Sequence, residues 1–229
     1  PPPPEQACLG AEAPAGAETM WLETRDGAAI EAVVAGTGPD VAIFLHQTNL
    51  GYCGFLPYVT WLESQGVMSI LVSLCTYGES VCPRSLGPMQ SAAGAVETAV
   101  GWSRDEGAQR VTAVGASMGG TIVMDLAARQ GDAGGLDAVV NLSGPMTFGG
   151  VDVDEVVADV RIPVLFAIAP GDRVSVERVE EVADAAVNSA VTQVEVGPSG
   201  HGWELLTADA VVPSPIGATV LDWIHGSYE

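Results

Sequence analysis

Lysine is absent from this 229-residue chain, so its 8 basic side chains are all arginine. Without that amine there is no Walker A phosphate loop, no Schiff-base cofactor chemistry and no Ser–Lys dyad. Positive charge is scarce against 29 acidic side chains, and the net charge is −21. A field of that sign repels phosphate backbones and anionic lipid, which argues against nucleic-acid and membrane-surface partners. No window approaches about eighteen uninterrupted apolar residues, so no segment reads as a membrane span. Charged residues make up only 16% of the chain and apolar ones 48%. That balance excludes a disordered polyampholyte and suits one domain of ordinary size with a sizeable core.

Cysteine is sparse too. Cys8, Cys53, Cys75 and Cys82 show no C-x-x-C spacing, which argues against a zinc or thioredoxin-type site. An even number permits disulfides in an oxidising compartment, and buried free thiols are the alternative. Four cysteines allow three connectivities. Cys75 with Cys82 is the most local pairing and leaves Cys53 with Cys8, but spacing alone does not choose. The chain starts at Pro1, without a Met start or a signal peptide, and reads as processed or trimmed. The cysteines and a Pro-rich start favour a secreted or cell-envelope protein, bacterial in kind, over a cytoplasmic one.

Residues 1–18, PPPPEQACLGAEAPAGAE, lack periodicity and read as an extended tail or linker. From Thr19 to Glu229 the pattern is regular and suggests a single domain. Short apolar runs recur at Met20–Glu23, Ala29–Val34, Val41–Leu45, Ser69–Leu74, Val111–Val114, Ala138–Leu142, Val164–Ile168 and Val191–Val196. From Val41 onward they are almost wholly apolar, which suits buried parallel strands. Helical stretches lie between them, at about 56–64, 88–104, 118–129, 176–188 and 216–225. The alternation predicts a doubly wound, mostly parallel eight-stranded α/β sheet with helices on both faces. The first two strands, joined at Arg25-Asp26-Gly27, read as an antiparallel hairpin at its edge. Sites in such sheets lie beyond the carboxyl ends of the strands.

One of those loops carries chemistry. Gly115-Ala116-Ser117-Met118-Gly119-Gly120 stands between the strand Val111–Val114 and an apolar helix, a G-x-S-x-G turn. A serine nucleophile needs its hydroxyl presented on a sharp turn, with small residues two positions away so that strand and helix can pass. The helix N-terminus beneath favours a developing negative charge. A dinucleotide fingerprint would need Gly where Ser117 stands. A serine also needs a base, and the base an orienting acid. His201, in Pro198-Ser199-Gly200-His201-Gly202-Trp203, follows the last strand, and Asp172, in Pro170-Gly171-Asp172-Arg173, follows the strand before it. The order Ser117, Asp172, His201, each after a strand, is more specific than the pentapeptide. His46 reads as a structural histidine, His225 as a cation at a helix end, and Asp137 lies at the wrong end of a strand for an acid.

On these residues the chain resembles the serine-dependent α/β-hydrolases from Thr19 to Glu229. The resemblance implies Ser117 as nucleophile, Asp172 as acid and His201 as base. It also implies an oxyanion loop at His46-Gln47-Thr48-Asn49, with the N–H groups of Gln47 and Met118 as donors. The family commonly has Gly where Gln47 stands. In size the chain is similar to the dienelactone-hydrolase group, whose elbow carries Cys where this chain has Ser117. About twenty residues separate Leu142 from Val164, too few for a full cap domain, so an open groove is expected. Tyr52, Phe55, Tyr77, Met146, Phe148 and Trp203 are the candidate substrate-binding walls. The implied activity is carboxylic ester cleavage through an acyl-enzyme, on a small-molecule ester, by a monomer or small homo-oligomer, with no metal or organic cofactor. Thioesterase, lipase or polyesterase, and amidase or peptidase activities use the same constellation. A non-catalytic ligand-binding relative is the reading from another class.

Overall fold

The computed structural model describes residue 8 and residues 13–130, 135–210 and 212–228. Of the expected tail it therefore describes Cys8 and residues 13–18, and the last of these already belongs to the first strand. In chain order the elements are β1 (Glu18–Glu23), β2 (Ala29–Ala35), β3 (Asp40–Leu45), α1 (Leu56–Glu63), β4 (Val67–Val72), α2 (Pro88–Asp105), β5 (Arg110–Ala116), α3 (Met118–Gln130) and β6 (Ala138–Leu142). A two-residue hairpin, β7 (Thr147–Phe148) and β8 (Val151–Asp152), follows. Then come α4 (Val153–Val156), β9 (Val164–Ile168), α5 (Val176–Ala185), β10 (Thr192–Val196) and α6 (Pro215–Ile224).

Eight strands form one sheet in the order β1-β2-β4-β3-β5-β6-β9-β10. β1 and β2 pair antiparallel and β2 is antiparallel to β4, while every pairing from β4 to β10 is parallel. The parallel strands are apolar at nearly every position because both faces are covered. On one face pack Ala92, Ala95, Val96 and Ala99 of α2, Ile122, Val123 and Leu126 of α3, and Val179 and Val182 of α5. On the other pack Leu56, Val59 and Leu62 of α1 with Ile216, Val220 and Trp223 of α6. The small side chains of α2 let that long helix lie close to the sheet.

Helix starts follow the local chemistry. Ser175 and Ser214 cap α5 and α6, accepting from Arg178 N–H and Gly217 N–H. Proline occupies an opening position of α1, α2 and α6, where its missing N–H costs nothing. The acidic stretch Val153–Val160 forms only a single α-turn followed by a 3-10 turn over Val157–Asp159. The whole Leu142–Val164 connection is this turn plus the β7–β8 hairpin, with no cap domain in it.

Register decides where the loops fall. Leu45 pairs with Gly115, Ala116 with Leu142, Leu142 with Ala167 and Ile168 with Val196. The carboxyl ends of β3, β5, β6, β9 and β10 are thus level, and the loops bearing Gln47, Ser117, Asp172 and His201 leave from one edge. Both cysteine pairs are bridged, Cys8 to Cys53 and Cys75 to Cys82, and no described cysteine is free. Of the three connectivities, the most local pairing and its complement are the ones formed.

Candidate active site

Ser117 sits between β5 and α3 with φ at +47°, a left-handed conformation that costs a non-glycine residue on the order of 1 kcal/mol. The turn is held by backbone bonds: Ser117 N–H donates to Leu142 O at 2.8 Å, and Ser117 O accepts from Gly120 N–H at 2.7 Å. The flanking glycines are required by contact. A Cβ on Gly115 would run into the Gly119 carbonyl, and one on Gly119 into the Leu45 carbonyl. Strand, turn and helix can therefore pass one another only without side chains at those two positions. Met118 opens α3, so its N–H has no partner inside the helix. The Gln47 N–H donates to no other described residue. These two N–H groups lie in the loop after β3 and in the turn after β5.

The His201 and Asp172 side chains are joined. His201 Nδ1 lies 2.7 Å from Asp172 Oδ1, and the Asp172 side chain is 3% exposed. Because a carboxylate only accepts, Nδ1 carries the proton and Nε2 is left as the basic nitrogen. The same Oδ1 accepts from the Arg173 N–H at 2.6 Å, while Oδ2 is buried and unpartnered among the described residues. The Glu204 carboxylate accepts from the His201 N–H at 3.0 Å, which fixes the backbone that carries the ring.

Two neighbouring contacts bring the histidine loop to the elbow. A Cβ built on Gly202 would lie 3.2 Å from the Cβ of Ala116, and it would also meet Gln47 Oε1. The loops of Gln47, Ser117 and His201 therefore touch at one point. Ser117 Oγ makes no hydrogen bond to His201 in this structure; in ligand-free enzymes such contacts are often long and close only around substrate.

His46 is structural in this arrangement. It is fully buried; Nδ1 lies 2.7 Å from Gln47 O, and Nε2 accepts from Leu74 N–H at 3.2 Å. The ring therefore clasps the Gln47 loop to the end of β4, and Tyr77 packs edge-on against it at 4.4 Å. Burial lowers its pKa from 6.5 to about 4, with the Gln47 carbonyl opposing only partly. The unfolded chain takes up this proton first as pH falls. The stabilisation from a neutral His46 is complete above pH 6.5 and is lost between pH 6.5 and pH 4, an effect of up to about 3 kcal/mol. Denaturant unfolding at pH 7 and pH 4 should show a larger acid loss in wild type than in His46→Asn. Equal losses would contradict a buried neutral imidazole. His225 binds Asp40 at the surface, and Asp137 holds Arg104 and the Val111 N–H at the amino edge, so neither bears on the site.

The candidate wall residues separate by face. Tyr77, Met146 and Phe148 pack at the margin of the α2–α3 face, and Tyr52, Phe55 and Trp203 belong to the α1–α6 face. Phe55 is fully buried with its ring 4.9 Å from Phe44, as part of the core. Tyr52 is buried with its hydroxyl unpartnered among the described residues; burial, then the charge of Glu31, push that phenol well above its ordinary range. Trp203 lies against Gly54 with its indole N–H buried and unpartnered among the described residues. Phe148 lines a concavity of about 350 Å³ formed by residues 147–152. A larger one of about 600 Å³, lined by residues that include Glu23, Glu97 and Trp102, contains none of the candidate site residues. No cluster of described residues could hold a metal ion. Sequence reasoning missed the roles of Glu204 and of the Gln47 side chain, since both depend on where the histidine loop lands.

The sequence matches no protein-family model and no curated protein. Solved structures do match. The esterase Pf2001 of Pyrococcus furiosus is 13% identical, with a TM-score of 0.76 over 100% of this chain and 94% of that one. The esterase EaEST of Exiguobacterium antarcticum is 14% identical, with a TM-score of 0.71 over 91% of this chain and 100% of that one. The thioesterase domain from the curacin biosynthetic pathway is 12% identical, with a TM-score of 0.71 over 93% and 100% of the two chains. At these identities the likeness is one of fold, and the chain has the α/β-hydrolase fold.

Proposed function

We propose that this protein is a serine hydrolase that cleaves carboxylic esters through an acyl-enzyme. The observation that carries the reading is the His201–Asp172 pair at 2.7 Å, on the same sheet edge as Ser117 in its left-handed turn. Ser117 Oγ adds to the ester carbonyl carbon while His201 Nε2 takes its proton. The resulting oxyanion receives the N–H groups of Met118 and Gln47, and Asp172 stabilises the imidazolium. Collapse breaks the bond to the alcohol, which leaves with the proton from Nε2. Water then repeats the sequence on the acyl-serine and releases the acid. Every proton moves between substrate, water, Ser117 and His201, so the chain's own groups suffice for the chemistry.

The esterase structures of the same fold support an ester substrate, and the thioesterase domain among them supports a thioester as second reading. A panel of p-nitrophenyl esters, an acyl thioester and an acyl anilide separates the two. The ester should have the highest kcat/KM, and an acyl thioester exceeding it by more than about tenfold would favour the second reading. Small, neutral esters are the substrates expected, because the charge of −21 repels anionic ones. The two disulfides support a secreted or cell-envelope location. No described helix is long and apolar enough to cross a membrane.

A further inference from the structure

The resemblance to α/β-hydrolases leaves one residue unaccounted for, the Gln47 side chain at a position where a Gly is usual. Its backbone N–H is a proposed oxyanion donor, and Gly would supply that equally well. The residue is buried, with an exposure of 4%. It is held at both ends: Oε1 accepts from Trp203 N–H at 3.4 Å, and Nε2 donates to Asn49 Oδ1 at 2.5 Å. It also fills the space in front of Gly202, where any Cβ would meet Oε1 and where φ is +61°. The residue after His201 thus lacks a side chain where Gln47 has one.

Sheet topology shows why a link here matters. Gln47 follows β3 and His201 follows β10, and β5, β6 and β9 lie between those strands. Four interstrand spacings separate them, about 19 Å, so no ladder of backbone bonds ties one loop to the other. The histidine loop must cross back over the sheet, and its 3-10 segment Gly202–Ala210 does so. What meets it on the far side is the amide of Gln47 at the Trp203 N–H, together with Gly54 against the Trp203 indole.

We propose that the Gln47 side chain is a positioning strut, bridging the oxyanion loop to the Trp203 backbone and thereby fixing His201 relative to the oxyanion donors. The inference rests on the serine-hydrolase reading and extends it. The tetrahedral intermediate needs the imidazolium and both N–H donors in place at once, and a displacement of about 1 Å lowers the rate by about 10²-fold. The ester itself binds with less dependence on that alignment, so the strut acts on kcat more than on KM.

Two variants that keep the backbone N–H test it. Gln47→Met fills the same volume without an oxygen for the Trp203 N–H, and Gln47→Gly removes the side chain altogether. With p-nitrophenyl acetate, each should lose about 10- to 100-fold in kcat with KM within about threefold. A kcat within twofold of wild type for either variant would overturn the strut. A loss confined to melting temperature, with kcat retained, would show a merely structural side chain and also overturn it. Failure of the hydrolase reading is separable, since the wild-type protein would then neither turn over the ester nor form a covalent adduct at Ser117.

Discussion

Replacing Ser117 with Ala should lower ester hydrolysis by about 10⁴-fold or more, leaving only what binding and oxyanion donors contribute. The fold should not notice. Ser117 Oγ takes part in no hydrogen bond of the described structure, and the backbone bonds of the turn involve only its N–H and carbonyl. Alanine pays the same left-handed conformational cost as serine, so the melting temperature should change by no more than about 2 °C. Hydrolysis at near wild-type rate by the variant would place the nucleophile elsewhere, and a large fall in melting temperature would give the hydroxyl a packing role the contacts do not show.

The second large effect concerns the two bridges, and they should differ. Cys8–Cys53 spans 45 residues and Cys75–Cys82 spans 7. Closing loops of those lengths restricts the unfolded chain by about 4 and about 2 kcal/mol at 25 °C. In a domain of this size that corresponds to melting-temperature losses of about 10 °C and about 5 °C. Cys8→Ala with Cys53→Ala should therefore destabilise more than Cys75→Ala with Cys82→Ala, and excess reductant should approach the sum. Equal losses, or a larger one for the short loop, would mean that native contacts and not chain restriction dominate. Both bridges also end near the candidate site. Cys53 adjoins Gly54, which carries the Trp203 indole, and Cys75 follows Leu74, whose N–H holds His46. Each bridge thus ends next to a contact of the Gln47 or His201 loop.

Much of the sheet was legible because burial on both faces leaves its strands no polar face: Val41–Leu45, Ala138–Leu142 and Val164–Ile168 are observed with the bounds or nearly the bounds that their apolar runs suggest. Shorter features carry no such signal. A two-residue strand such as Thr147–Phe148 has no period, and the 3-10 turn Gly51–Phe55 does not reveal that Phe55 faces the core. In the candidate site, Ser117, Asp172 and His201 could be assigned to one sheet edge because each follows a strand and strand ends need only chain order. The Gln47–Trp203 contact could not be found that way. It depends on a loop crossing three strands, a distance in space between residues 156 apart in sequence. His46 was readable as structural only in kind; its two partners, Gln47 O and Leu74 N–H, come from separate strand ends that the register brings together.

Intact-mass measurement after incubation with a fluorophosphonate, on wild type and Ser117→Ala side by side, tests the central claim most directly. The reagent bonds covalently to a serine oxygen only when a neighbouring base and an oxyanion site activate it. A single adduct on wild type, absent from Ser117→Ala and confined to the peptide containing Ser117, is the predicted result. An unmodified wild-type protein, or an adduct that persists in the variant, would contradict it.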